Sequence, residues 1–203
     1  MRAPLAVTAV LLAAGLSKRF GGDQPKQLHP FRGQPLVRRM ATLLAASRAA
    51  EVIVVLGHRA EEVGESLNGL PVRRALNRDY DQGQASSVVA GLKSLQGDPK
   101  GALFVPCDQP LLTVEVVDSL ISAFEKTEAP IVAPAFEGRR GAPTLFSNHF
   151  FPQLQTLEGD TGGREILKRH LAKLTLVPVE DPNVLRDADT LEEWAALELL
   201  AST

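Results

Sequence analysis

The chain has 203 residues, 44% of them hydrophobic and 23% charged, with 22 Lys and Arg against 24 Asp and Glu. These proportions exclude disordered, collagen-like and coiled-coil chains. A net charge of −2 with aromatics at 5% argues against a nucleic-acid binder, which would carry a clustered basic excess or a stacking platform. No apolar run reaches the roughly 20 residues of a membrane-spanning helix. The single cysteine, Cys107, cannot form an internal disulfide, which fits a reducing, cytoplasmic setting. The four histidines show no zinc spacing. The length suits one domain over residues 1–203.

The first apolar segment runs from Ala6 to Leu12. With Arg2 ahead of it and Ala13, Ala14 and Gly15 behind, the run Leu5 to Ala14 also has the make-up of a signal peptide. We read it as a buried strand, because Ser17-Lys18-Arg19-Phe20-Gly21 makes chemical sense attached to it. Small residues at 13 to 15 let a ligand approach the backbone beyond Leu12, and Ser17 adds a hydroxyl. Arg19 and Lys26 supply charge for phosphate oxygens. A glycine-containing turn with exposed basic residues accounts for the same letters. The loop lacks both GxGxxG and GxxxxGK[ST], so neither the dinucleotide fingerprint nor the P-loop applies.

Leu36, Val37, Met40, Leu43 and Leu44 repeat at helical spacing, and strands are expected at Val52 to Leu56 and Val72 to Leu76. Gln82-Gly83-Gln84-Ala85-Ser86-Ser87 precedes the helical run Val88, Val89, Leu92, Leu95. Ser86 and Ser87 either open that helix or set hydroxyls against a ribose or base. The next strand, Ala102 to Val105, ends in Pro106-Cys107-Asp108-Gln109-Pro110. An acid at a buried strand end needs a partner or a cation, so Asp108 is a candidate magnesium ligand or else the cap of a turn. Cys107 reads as a small buried filler.

Val117, Leu120, Ile121 and Phe124 predict another helix, and Ile131 to Ala133 a strand. Between Pro134 and Gly163 the pattern loosens, which predicts a lobe or hairpin near the edge of the sheet. Leu174 to Val179 is the last strand. Thr190 and Glu193 then form a capping box for a helix carrying Leu191, Trp194, Ala195, Leu197 and Leu199. Asp189 is either a second magnesium ligand or an acid favoured by the helix dipole. The near-continuous apolar strands, alternating with helices, predict a three-layer α/β fold with a mostly parallel sheet, and ligand chemistry beyond its strand ends.

These clusters, in this order, resemble the nucleotidyltransferase family of molybdenum cofactor cytidylyltransferases and their guanylyltransferase relatives. Leu12 to Gly21 with Lys26 resembles the opening pattern LAAGxSxRFG…K. Gly83 to Ser87 resembles GxSSS, with Ala85 in place of a serine; Asp108-Gln109-Pro110 resembles xDxP; Asp187 to Glu193 resembles DxDTxED, with Leu191 in place of proline. Gly138 to Phe146 resembles the RxGxPxLF segment of the molybdopterin cytidylyltransferase branch, and Gly159 to Arg164 its GDxGxR loop. The loop Gly22 to Gln27 instead resembles the PKQ loop of methylerythritol-phosphate cytidylyltransferases.

The resemblance implies a Rossmann-like nucleotidyltransferase that moves CMP from CTP to a phosphorylated acceptor such as molybdopterin, releasing pyrophosphate, with a molybdoenzyme as a further partner. Ala13-Ala14 points to CTP over GTP. Arg19 and Lys26 would face the leaving pyrophosphate, and Asp108 and Asp189 would hold Mg2+. Leu12, Ala13, Ala14, Gly15, Ser17, Ser86 and Ser87 complete the implied nucleotide site. Arg139, Arg140, Gly141, Pro143, Gly162 and Arg164 form the implied acceptor side. A sugar- or polyol-phosphate cytidylyltransferase, a GTP-using enzyme and a non-catalytic cofactor carrier are the alternatives.

Overall fold

The structure, a computed structural model, describes residues 6–21, 24–127 and 129–201. Gly22 and Asp23 of the PKQ-like loop, and Arg2 and Leu5 of the leader-like run, lie outside the described residues. In chain order come β1 (Val7–Ala13), the short pair β2 (Pro30–Phe31) and β3 (Gln34–Pro35), and α1 (Leu36–Ala45). Then follow β4 (Glu51–Leu56), α2 (Ala60–Glu65), β5 (Arg73–Leu76), α3 (Gln84–Lys93), β6 (Gly101–Pro106) and α4 (Val114–Thr127). The last third holds β7 (Ile131–Phe136), β8 (Arg139–Arg140), β9 (Thr144–Ser147), α5 (Phe151–Leu154), α6 (Arg164–Arg169), β10 (Leu174–Pro178) and α7 (Leu191–Leu200).

The main sheet has the order β10-β7-β9-β6-β1-β4-β5, with β8 paired to β7. Side chains alternate across a strand, so each central strand feeds two cores. Val7, Ala9, Leu11 and Ala13 of β1, with Val52, Val54, Leu103 and Val105, pack on one face against α1, α4 and α7. Val10, Ile53, Val55, Ala102 and Phe104 face the other way, against Val88 and Leu92 of α3 and Ile166 and Leu167 of α6. This is the three-layer arrangement the apolar strands imply.

β1 pairs in parallel with both β4 and β6. The chain goes outward from β1 through β4 to β5, then returns to β6 on the opposite side. The loops after β1 and β6 therefore diverge at neighbouring strand ends, which opens a crevice at this switch point.

Two expectations need correction. The loose segment 134–163 does contain a hairpin, β7 turning into β8, but it is not a lobe at the sheet edge, because β9 lies inside the sheet, antiparallel to both β6 and β7. Its four residues between Pro143 and a 3-10 turn are too few to announce a strand, yet Leu145 and Phe146 are fully or almost fully buried. A tight turn with positive φ at Glu137 and Gly138 sends the chain back from β7 through β8 to reach that place. The outer strands are also not covered on both sides: β5 and β10 are edges, and Leu76 and Leu176 stand largely in water. Among the described residues no helix is long and apolar enough to cross a membrane.

Gly91 shows how closely α3 lies on the sheet. A Cβ there would stand 2.5 Å from Val10 Cγ1, a side chain fixed in the core. In an exposed helix, replacing glycine with alanine gains about 1 kcal/mol. Here Gly91→Ala should instead cost about 1–3 kcal/mol, as overpacking does, in urea unfolding monitored by circular dichroism. A stabilised variant would contradict the packing.

Candidate functional site

The crevice beyond β1 and β6 has a volume of about 600 Å3, within the ~300–1,000 Å3 usual for small-molecule sites. Its floor follows from local chain chemistry. After β1 the backbone turns at Ser17, which holds φ +53. The Gln27 amide pins this turn from below: Nε2 donates to Gly15 O at 2.9 Å, and Oε1 accepts from Ser17 Oγ at 3.2 Å. Gln27 is itself almost fully buried. Next to it, Lys26 begins a 3-10 turn and points its ammonium inward.

Lys26 Nζ donates to Asp108 Oδ2 and to Asp189 Oδ1, both at 3.0 Å. The residue keeps 8% of its surface exposed. Burial opposes its charge, but Asp108 and Asp189 more than offset that and raise its pKa above the ordinary lysine value. Asp189 Oδ2 also meets Arg19 Nη2 at 2.9 Å, although Arg19 is mostly in water and that pair is screened.

One backbone and one side-chain hydrogen bond bring together two aspartates that are 81 residues apart in sequence. Ala188 N donates to Asp108 O at 2.8 Å, and Gln109 Nε2 to Leu185 O at 3.1 Å, so the segment before α7 is sewn to the end of β6. Thr190 and Glu193 form the full capping box, and Glu193 Oε2 also accepts from Asp189 N at 2.8 Å. The side chain of Asp189 is thereby freed from capping and enters the crevice.

Sequence reasoning missed Asp187, which lines the same crevice. The residue as a whole is exposed, yet its carboxyl leans toward Asp108 and Asp189. Loss of water, then the charge of Asp108, pushes its pKa up to about 6, against a partly compensating hydrogen bond with Gln109. The signal was its place two residues before Asp189 in the acidic tail motif. Gln27, Tyr80, Gln84 and Asp160, also in the crevice wall, gave no chemical cue of their own.

Of the expected nucleotide residues, Leu12, Ala14, Gly15, Ser17, Arg19, Lys26, Ser87, Asp108 and Asp189 meet in this crevice. Ala13 does not, because the strand's alternation buries it in the opposite core. Ser86 lines a separate groove beside β5, where its hydroxyl accepts from Asn77 Nδ2 at 2.8 Å. Ser87 Oγ accepts from the same amide at 3.1 Å, so both serines tie α3 to the end of β5. Cys107 is fully buried, and burial followed by Asp108 raises its thiol pKa, in keeping with a filler.

The expected acceptor residues divide. Arg140 and Arg164 reach a smaller apolar cavity of about 100 Å3, walled by Leu12, Val88, Phe104 and Phe146. Leu12, Gln84, Pro106, Ala142 and Arg164 border both spaces, so the two are contiguous. Neither the Arg140 nor the Arg164 guanidinium has an ion-pair or hydrogen-bond partner among the described residues. Burial, then the like charge of Arg164, lowers the pKa of Arg140. Arg139 points away on the exposed β8. Gly141 packs on Leu185, and Pro143 is buried; neither lines the cavity. Gly162 serves the fold by lying against the Gln84 side chain, while Gly83, at φ +104, touches the carbonyl of Gly159.

The Asp187 carboxyl holds its proton more tightly folded, near 6, than at its ordinary 3.8. Its contribution to stability is therefore present at low pH and is lost as pH rises through about 6. In thermal melts without added metal, Asp187→Asn should gain on wild type as pH rises from about 4 to about 7. Parallel pH profiles for the two proteins would contradict the assignment.

Comparison with known proteins identifies the family and the fold. The chain is 33% identical to nicotine blue oxidoreductase of Paenarthrobacter nicotinovorans, over 94% of this chain and 96% of that one. It superimposes on an Rv0371c homologue from Mycobacterium sp. strain JC1 with a TM-score of 0.84 and 27% identity, covering 97% and 96% of the two chains. Rv0371c of Mycobacterium tuberculosis H37Rv, in its complex with manganese, shares the fold at a TM-score of 0.78 and 23% identity, covering 96% and 98%. Residues 9–174 match the MobA-like NTP transferase domain, and the chain belongs to that family.

Proposed function

We propose that this protein is a cytoplasmic enzyme that transfers CMP from CTP to a phosphorylated acceptor, with molybdopterin as the favoured acceptor and a molybdoenzyme as the consumer of the product. The observation that carries the reading is the meeting of Arg19, Lys26, Asp108 and Asp189 in one crevice, contiguous with an apolar cavity rimmed by Arg140 and Arg164. A triphosphate needs cations and a divalent ion. A flat, apolar acceptor with one phosphate needs an apolar wall and a guanidinium.

The donor set fits Mg2+. Asp108 and Asp189 are hard oxygen ligands facing one point, and two carboxylates leave the remaining positions for water and phosphate oxygens. The manganese complex of the M. tuberculosis neighbour supports a divalent ion in this fold. Asp108 and Asp189 would hold the ion, which would supply charge neutralisation for the phosphates.

The protein's own groups then do the rest. Arg19 and Lys26 hold the departing pyrophosphate, and Arg140 and Arg164 hold the acceptor phosphate in line with the α-phosphorus. A phosphate monoester is largely ionised at neutral pH, its second pKa being about 6, so no general base is required. The fully buried thiol of Cys107 plays no part.

A second reading has a specific observation behind it. The P. nicotinovorans relative, matched along nearly its whole length, is named for the reduction or oxidation of nicotine blue. One experiment separates the two: pyrophosphate release across the four nucleoside triphosphates with and without molybdopterin, beside consumption of a reduced nicotinamide cofactor with nicotine blue. We expect CTP- and molybdopterin-dependent pyrophosphate release, reduced about a hundredfold or more in Asp108→Ala without loss of folding. Nicotinamide turnover without pyrophosphate would overturn the proposal.

A further inference from the structure

We propose that Lys26 is a tethered counter-ion that occupies the place of the divalent metal, so that the metal enters only together with a triphosphate able to draw the lysine away. The inference rests on the reading that Asp108 and Asp189 are the metal ligands. It goes beyond that reading in assigning Lys26 two positions.

The geometry argues for competition. Nζ stands 3.0 Å from one oxygen of each aspartate, so any cation touching both carboxylates must take its place or lie against it. The second oxygen of Asp189 is taken by Arg19. An ammonium with little access to water cannot share that space with a dication, because two like charges would meet where screening is weakest. Lys26 must move, and on moving it gives up two charge-assisted hydrogen bonds, which penalises metal binding to the bare protein.

Its exit is built into the site. Lys26 shares the crevice with Gly15, Ser17, Lys18 and Arg19, the surface assigned above to the triphosphate. Lysine is a flexible point charge with three donors, suited to exchanging carboxylates for phosphate oxygens. Arginine, held as a planar fork, would not exchange as readily. The same residue would therefore hold the site closed to free metal and bind pyrophosphate once the nucleotide arrives.

The test is direct Mn2+ binding, followed by the electron paramagnetic resonance signal of the free ion, on the full chain with and without α,β-methylene CTP. Without nucleotide, Lys26→Met should bind Mn2+ about tenfold or more tighter than wild type, the factor that one lost charge-assisted bond represents. Asp108→Asn should remove the gain when combined with Lys26→Met. Lys26→Gln, which keeps hydrogen-bond donors without the charge, serves if the methionine variant fails to fold, and should also tighten binding. If the Lys26 variants bind no more tightly than wild type while Asp108→Asn still weakens binding, the metal site stands and the competition is refuted. If Asp108→Asn changes nothing with or without nucleotide, the metal assignment itself falls, and this inference with it.

Discussion

Two carboxylates brought into one crevice from the middle and the last part of the chain repel each other unless a cation is placed between them. Oxygens that each lie 3.0 Å from one nitrogen are no more than about 6 Å apart, and without that nitrogen they would repel by about 3 kcal/mol at an effective dielectric near 20. Lys26 is that cation. The loop after β1 that carries it, the end of β6 that carries Asp108 and the approach to α7 that carries Asp189 all meet at its ammonium. The backbone bond from Ala188 to Asp108 and the Gln27 clamp on Gly15 and Ser17 hold the three segments in position.

The fold supplies the rest through simple alternation. In β1, residues of one parity build the core under α1, α4 and α7, and those of the other parity build the core under α3 and α6. Once β1 is paired on both sides by parallel strands, its end is the one place where neighbouring loops part, and the crevice forms there. The apolar cavity beside it depends on β9 being inserted next to β6, because Phe146 and Thr144 of β9 are part of its wall.

Much of this was legible in the sequence. Near-continuous apolar runs mark strands covered on both faces, and β1, β4 and β6 follow them closely. Asp108 stood out because a carboxylate at a buried strand end needs a partner, and the capping box before α7 was plain from Thr190 and Glu193. What stayed hidden has physical causes. β9 is short and flanked by proline, so its strand character comes from the two neighbours it pairs with rather than from its own letters. Ser86 and Ser87 read either as helix-opening residues or as ligand contacts, and only the Asn77 amide that reaches both hydroxyls shows how they are engaged, with Ser87 still lining the crevice. Asp187 is one acid among the four of the tail motif; its place two residues before Asp189 is a signal, but only three-dimensional proximity shows that it shares the crevice.

The family model and a relative along nearly the whole chain are named for different reactions, so the scaffold alone does not dictate the chemistry. On the proposal made above, what specifies it is how the charges around Lys26 rearrange when a nucleotide arrives. The most direct measurement is a crystal structure of the protein with α,β-methylene CTP and Mn2+, locating the ion by its anomalous scattering. The account places the ion between Asp108 and Asp189 with the Lys26 ammonium withdrawn onto the phosphates. An ion bound elsewhere, with Lys26 still bridging the two aspartates, would contradict it.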